Sequence, residues 1–157
     1  MIVAFTGHRP DKLGGYGPSD VQADVRRRIR NALADLKPAH AISGMALGVD
    51  QWAAEECDAV GIPWTAAIPF AGQESRWTRE AQRHYRDLLG WATNTVIVSP
   101  GGYQREKMQI RNRWMVDQCD WLIAVWDGSD GGTANCYRYA KSIGRKIARI
   151  DPNSPRP

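Results

Sequence analysis

The sequence predicts an α/β fold: a mostly parallel sheet of six strands with helices on both faces, three layers in all. Three observations carry that reading. Short apolar runs alternate with amphipathic stretches along the chain, turns rich in glycine or proline separate them, and no internal repeat or low-complexity segment breaks the order. At 157 residues, 43% hydrophobic and 24% charged, the chain suits one domain with a sizeable core, expected over residues 1–150.

Ile2 to Phe5 reads as a buried first strand closed by Thr6-Gly7, which leaves His8-Arg9-Pro10 on the loop at its C-terminal end. Asp11 to Pro18 is turn-rich and predicts a loop. Ser19-Asp20 suits an N-cap for a helix to about Leu36, with Val21, Val25, Ile29, Ala32, Leu33 and Leu36 as its stripe. After Lys37-Pro38, residues 39–43 predict a second strand, and Val49 to Val60 a helix. Trp64 to Ile68 reads as the third strand, ending at Pro69-Phe70. Ser75 is expected to cap the next helix, whose core stripe is Trp77, Ala81, Tyr85, Leu88 and Leu89. A fourth strand is expected over Thr95 to Val98, a helix from about Arg105 to Gln118, and a fifth strand over Trp121 to Trp126. A glycine-rich turn, Asp127 to Gly132, leads into a last helix from about Thr133 to near Gly144, and Lys146 to Ile150 is the sixth strand. The tail, Asp151 to Pro157, is Pro-rich and expected to fray.

Composition excludes several classes. No apolar run approaches the ~20 residues that span a membrane, and the N-terminus does not resemble a signal peptide. Cysteines 57, 119 and 136 form no C-x-x-C pair and no even-numbered framework, which points to a reducing cytoplasm. With His8, His40 and His84 equally scattered, they argue against a metal site, and no cofactor is expected. The formal charge of +4 is unevenly spread. Arg26, Arg27, Arg28 and Arg30 form one cluster; Arg105, Lys107, Arg111 and Arg113 form another. Clustered arginine fits nucleic acid or an anionic ligand. For residues 26–30 the plainer reading is a solvated helix face, with Asp20 and Asp24 spaced for ion pairs to Arg27 and Arg28.

The stretch Ser43-Gly44-Met45-Ala46-Leu47-Gly48-Val49-Asp50 turns a strand into a helix. Its two glycines permit a sharp turn, and a helix beginning there offers free N–H groups and positive dipole to a phosphate. A tight turn with Asp50 near the helix start explains the same spacing. Gly131-Gly132-Thr133 supplies a second such turn, with a hydroxyl added. In parallel sheets ligands bind beyond the C-terminal ends of the strands, where the strand order reverses. Loops 6–10, 44–50 and 127–133 all lie at those ends, and their convergence predicts a phosphate-bearing ligand. The candidate binding residues are Gly7, His8, Arg9, Ser43, Gly44, Gly48, Asp50, Arg111, Asp127, Gly131, Gly132 and Thr133. Arg111 shares the apolar stripe of its helix with Met108 and Met115, so it needs an anion or a partner such as Asn112, Asp117 or Asp120. Among carboxylates placed to act as acid or base, Glu106 and Asp127 join Arg111 as catalytic candidates, although Glu74, Glu106 and Asp127 form no diagnostic pair. Trp52, Trp77, Trp91, Trp114, Trp121 and Trp126 are expected in the core or rim, with one available to stack on a base.

The Ser43–Asp50 stretch is similar to the Ser-Gly-x-Ala-x-Gly-Ile-Asp signature of the DNA-processing DprA (Smf) family. Thr6-Gly7-His8-Arg9-Pro10, Pro69-Phe70 and Gly131-Gly132-Thr133 resemble the YpsA-type family. Both belong to the SLOG superfamily, with the LOG phosphoribohydrolases. The resemblance runs from Ile2 to about Ile150 and implies a Rossmann-like fold that binds nucleotides or nucleotide-derived ligands; the superfamily's habit implies a homodimer. The LOG enzymes carry Arg-Lys-x-x-Met in a helix, and Arg111-Asn112-Arg113-Trp114-Met115 matches it with Asn112 in the Lys position. Three residues after Thr133, where their catalytic Glu belongs, stands Cys136, which cannot take a carboxylate's part. Three readings follow. The first is a sensor or sequestering protein for a nucleotide or nucleotide derivative. The second is a nucleotide N-glycosidase of phosphoribohydrolase type using Arg111 with Glu106 or Asp127. The third, ranked last for want of basic residues interleaved with aromatics, binds single-stranded nucleic acid.

Overall fold

The computed structural model describes residues 1–154; the end of the tail, residues 155–157, lies outside the described residues. Six parallel strands form one sheet: β1 (Ile2–Gly7), β2 (His40–Ser43), β3 (Trp64–Ile68), β4 (Asn94–Ile97), β5 (Trp121–Val125) and β6 (Lys146–Ile150). Their order across the sheet is β4-β3-β2-β1-β5-β6. The chain steps outward from β1 to β4, then returns to lay β5 against the other side of β1, with Val3 opposite Trp121 and Gly7 opposite Val125. The strand order therefore reverses between β1 and β5, where a crevice opens at the carboxyl edge.

Alternation along the strands builds two cores. Val3, Phe5, Ala66, Ile68, Ile123 and Val125 face α1 (Asp20–Leu36), α2 (Val49–Val60) and α3 (Arg79–Trp91). Ala4, Ala67, Leu122 and Ala124 face α4 (Glu106–Gln118) and α5 (Gly132–Ser142). Small alanines on the second face let those two helices approach the sheet closely. This is the α/β, Rossmann-like three-layer fold that the sequence predicts.

Most boundaries follow the local chemistry. Ser19 Oγ accepts from Gln22 N at 3.1 Å to cap α1, and Lys37, left-handed at φ 49°, ends it ahead of Pro38. Differences have identifiable causes. Helix α3 begins at Arg79, capped by Thr78 Oγ1 on Ala81 N, and not at Ser75. Residues 72–77 instead form turns, Ser75 N to Gly72 O and Trp77 N to Glu74 O, and the Gln82 side chain donates to the carbonyls of Glu74, Ser75 and Trp77. Trp77 packs edge-to-face on Tyr85 at 5.3 Å, so it obeys the helical spacing while standing outside the helix. Helix α5 starts one residue early, at Gly132. Trp91, expected in the core or rim, is 60% exposed at the end of α3. The described part of the tail makes a turn: Asp151 O accepts from Arg28 Nη1 at 2.8 Å and from Ser154 N at 3.1 Å.

Candidate functional site

At the end of β1 the His8 ring is buried, with Nε2 2.9 Å from Asp127 Oδ1 and 3.2 Å from Asp127 N, beyond the end of β5. One ring nitrogen serves one of these at a time, donating to the carboxylate or accepting from the amide. Ser129 donates to the same Oδ1 through its amide at 2.9 Å and its hydroxyl at 2.6 Å. These Ser129 bonds lead the causes that hold the Asp127 carboxyl down to about 2. Asp127 thus fastens the β1 and β5 loops together, and its carboxylate is engaged by protein.

The Ser43–Asp50 turn is tightly packed. Ser43 Oγ donates to Asp50 O at 2.7 Å and accepts from Met45 N at 3.2 Å. Met45, at φ 62°, holds a left-handed conformation rare outside glycine, and Gln51 Nε2 secures its carbonyl. A Cβ at Gly44 would lie 2.5 Å from Arg111 Nη1 and 2.9 Å from Asp50 Oδ2. At Gly48, φ +95°, it would meet the His8 carbonyl at 2.7 Å; at Gly7 it would meet Val49 Cβ at 2.5 Å. The open sides of these glycines are filled by protein, so the turn approaches Arg111 and the β1 loop at close quarters.

Arg111 is 4% exposed. Its Nη1 donates to Gly44 O at 2.5 Å and Ala67 O at 3.2 Å, and its Nε to Asn112 Oδ1 at 2.9 Å. Of the expected partners only Asn112 is used. Asp117, on another side of α4, accepts from Tyr139 OH, and Asp120, past the end of that helix, accepts from Ile2 N. The second terminal nitrogen of Arg111 makes no hydrogen bond within the described residues and faces the crevice. Asp50 stands nearby, with Oδ2 accepting from Ala46 N at 3.3 Å. Burial pushes its carboxyl up, opposed chiefly by the charge of Arg111.

The crevice has two compartments. The smaller, about 310 Å³, lies between the β1 loop, Asp50, Arg111 and the start of α5. The larger, about 940 Å³, is walled by Phe70, Arg76, Trp77, Tyr103, Arg105 and Glu106. They meet at a waist formed by Arg9, Met108, Gln109, Gly131 and Gly132. Helix α5 opens at that waist with no side-chain cap, and the amides of Gly132, Thr133 and Ala134 have no acceptor within the described residues. Of the sequence candidates, Gly7, His8, Arg9, Asp50, Arg111, Gly131, Gly132 and Thr133 line the smaller compartment and Glu106 the larger, while Ser43, Gly44, Gly48 and Asp127 lie behind the walls.

Sequence reasoning missed the walls of the larger compartment. Lys107, in the second basic cluster, is buried and donates to the carbonyls of Pro100 at 2.5 Å and Gly102 at 2.7 Å, pinning the loop that carries Tyr103. The Gly101-Gly102 pair before Tyr103 was the available signal. Arg113 lies over the Tyr139 ring, 4.9 Å from its centroid. The first cluster is paired with Asp24, Glu55 and Glu56. Asp20, the other carboxylate expected to pair there, makes no ion pair within the described residues. Cys136 is buried, with its thiol pushed up to about 12 by desolvation. Among the described residues no group of His, Cys, Asp and Glu could hold a metal ion, and no helix is long and apolar enough to cross a membrane.

Known proteins share this architecture. The model of the YspA SLOG family matches residues 3–149, and the chain belongs to that family. An uncharacterised SPbeta prophage-derived protein, YoqJ of Bacillus subtilis, is 34% identical over 131 residues, covering 71% of this chain and 76% of its own. Among solved structures, DNA processing protein A of Streptococcus pneumoniae superposes with a TM-score of 0.69 at 21% identity, over 95% of this chain and 50% of that one. The Helicobacter pylori protein of the same name, described with a single-stranded DNA binding mode, gives 0.69 at 18%, over 96% and 65%. The chain thus spans about half of the first and under two thirds of the second, and the likeness is one of fold.

Proposed function

We propose that the chain binds a nucleotide or nucleotide-derived ligand in the crevice between β1 and β5, as a sensor or sequestering protein. One observation carries the reading: the free guanidinium nitrogen of Arg111, on a side chain 4% exposed, faces the same compartment as the three unclaimed amides of α5. A buried cation and a helix N-terminus converging on one space favour an anion there, as a phosphate group provides. Arg9 adds a second guanidinium at the waist. Membership of the SLOG family supports a nucleotide-related or DNA-binding role.

The test is thermal unfolding with nucleoside mono- and diphosphates, present well above their dissociation constants. A binding nucleotide raises the midpoint by mass action, and Gly132→Asp abolishes the rise by placing a carboxylate among the amides. No shift from any nucleotide overturns the proposal. Single-stranded nucleic acid is the second reading, favoured by the aromatic and arginine side chains of the larger compartment. Binding that falls steeply with salt, with no nucleotide response, selects it. Free base released from the nucleotide, followed by chromatography, would select the glycosidase; Asp127 is engaged elsewhere and Cys136 holds the place of the family's carboxylate. The homodimer belongs to the same proposal, and light scattering on the eluted protein tests it.

A further inference from the structure

The larger compartment holds features that a phosphate site does not require. Phe70 and Tyr103 meet edge-to-face at 5.6 Å, so each keeps a flat face clear of the other, and Trp77 stands across the same space. Tyr103 is 71% exposed. Its neighbour Phe70 is buried, so the open ring is that of Tyr103, held on a loop pinned by a buried lysine and positioned for a guest. Arg9, Arg76 and Arg105 face the same space without an ion pair or side-chain hydrogen bond within the described residues. In the Arg26–Arg30 cluster each arginine is paired with a carboxylate, which makes the contrast informative. Among the described residues Glu106 is the one carboxylate on the chamber wall, and it can accept from a ribose hydroxyl or a base amino group.

The walls are set in advance. Gln73 Nε2 ties the 71–77 loop to Gly44 O at 3.3 Å and Tyr85 OH at 3.1 Å, Gln82 holds the carbonyls of residues 74, 75 and 77, and Lys107 holds those of 100 and 102. Surfaces ordered before binding lose little freedom on binding. A ligand that reaches both compartments crosses the waist, where Arg9 and the α5 amides favour negative charge.

Resting on the reading above, we infer that the ligand is a nucleoside diphosphate: its base lies in the larger compartment against Tyr103 and Trp77, and its diphosphate crosses the waist at Arg9 and the α5 amides into the smaller compartment, toward Arg111. Aromatic stacking accepts any base, so the length and charge of the ligand, more than the base, set selection.

Isothermal titration of the full chain with ADP, AMP and inorganic pyrophosphate tests this. ADP is expected to bind more tightly than either of the others. Tyr103→Ala, at an exposed position whose loss leaves the core intact, should weaken ADP by roughly five- to 150-fold, the range of one aromatic–base stack, and leave pyrophosphate unchanged. Tyr103→Phe should restore ADP binding, and Arg9→Gln should weaken ADP more than AMP. Pyrophosphate binding as tightly as ADP, or ADP indifferent to Tyr103→Ala, overturns the inference. If ADP binding is lost in Gly132→Asp yet unaffected in Tyr103→Ala, the crevice still binds nucleotide and only the base subsite falls. If no nucleotide binds, both fall. A short single-stranded deoxyoligonucleotide displacing ADP at far lower concentration also overturns it, in favour of a polymeric ligand.

Discussion

At Gly132 an added Cβ meets nothing nearer than Gln109 Nε2, at 3.8 Å, so a side chain fits. An aspartate there also lies in the first turn of α5, where negative charge stabilises a helix by about 0.3–1 kcal/mol. Gly132→Asp should therefore unfold in urea at the same midpoint or slightly higher while losing any nucleotide response. Gly44→Ala is the converse. Its Cβ falls on the Arg111 guanidinium, and displacing it strips donors from the buried Gly44 and Ala67 carbonyls, at a cost of about 1–3 kcal/mol or more. The same denaturation experiment reads it. Asp127 makes a prediction in pH. Its carboxyl is held at about 2 against an ordinary 3.8, so the stability it contributes is complete above the ordinary value and is lost as pH falls toward 2. Asp127→Asn should lower the melting temperature at neutral pH and narrow its gap from the parent between about pH 4 and about pH 2.

Elements divide into those whose ends are marked locally and those set by distant neighbours. Serine 19 and the Lys37-Pro38 stop are local signals, and the ends of α1 were legible from them. The start of α3 was not. Ser75 and Thr78 both suit a cap, and Trp77 keeps the helical stripe because it packs on Tyr85 from outside the helix. The glycine turn was legible as a turn; its neighbour was not, because Arg111 arrives 67 positions later and fills the space that local spacing left open. The larger compartment escaped for the same reason, since the connections after β3 and β4 each supply one wall. Between α1 and α2, Glu56, 3% exposed, accepts three bonds from Arg30, at 3.0 and 2.6 Å on Oε1 and 3.3 Å on Oε2. Glu56→Gln should cost roughly 1–2 kcal/mol with little dependence on salt, measured by urea titration. Arg138→Gln removes a bridge between exposed side chains and should be close to neutral.

Over the whole molecule the three cysteines report closure. All are buried, with thiols pushed up by desolvation to about 12 for Cys57 and Cys136 and about 11 for Cys119. At about pH 8 an aromatic disulfide reagent should titrate none of them in the folded chain and all three in denaturant. Rapid labelling of the native protein would show that the cores open locally. The sheet order has a further consequence, for synthesis. The two loops that His8 and Asp127 join are 119 positions apart, and β1 finds its second neighbour only when β5 arrives. A chain leaving the ribosome can pair β1 with β2 and extend toward β4, but one flank of its central strand stays bare until β5 emerges. Pairings across such separations form slowly, and an open flank invites other chains. The crevice is therefore among the last features to take shape, and a nucleotide that fits it acts on the finished fold.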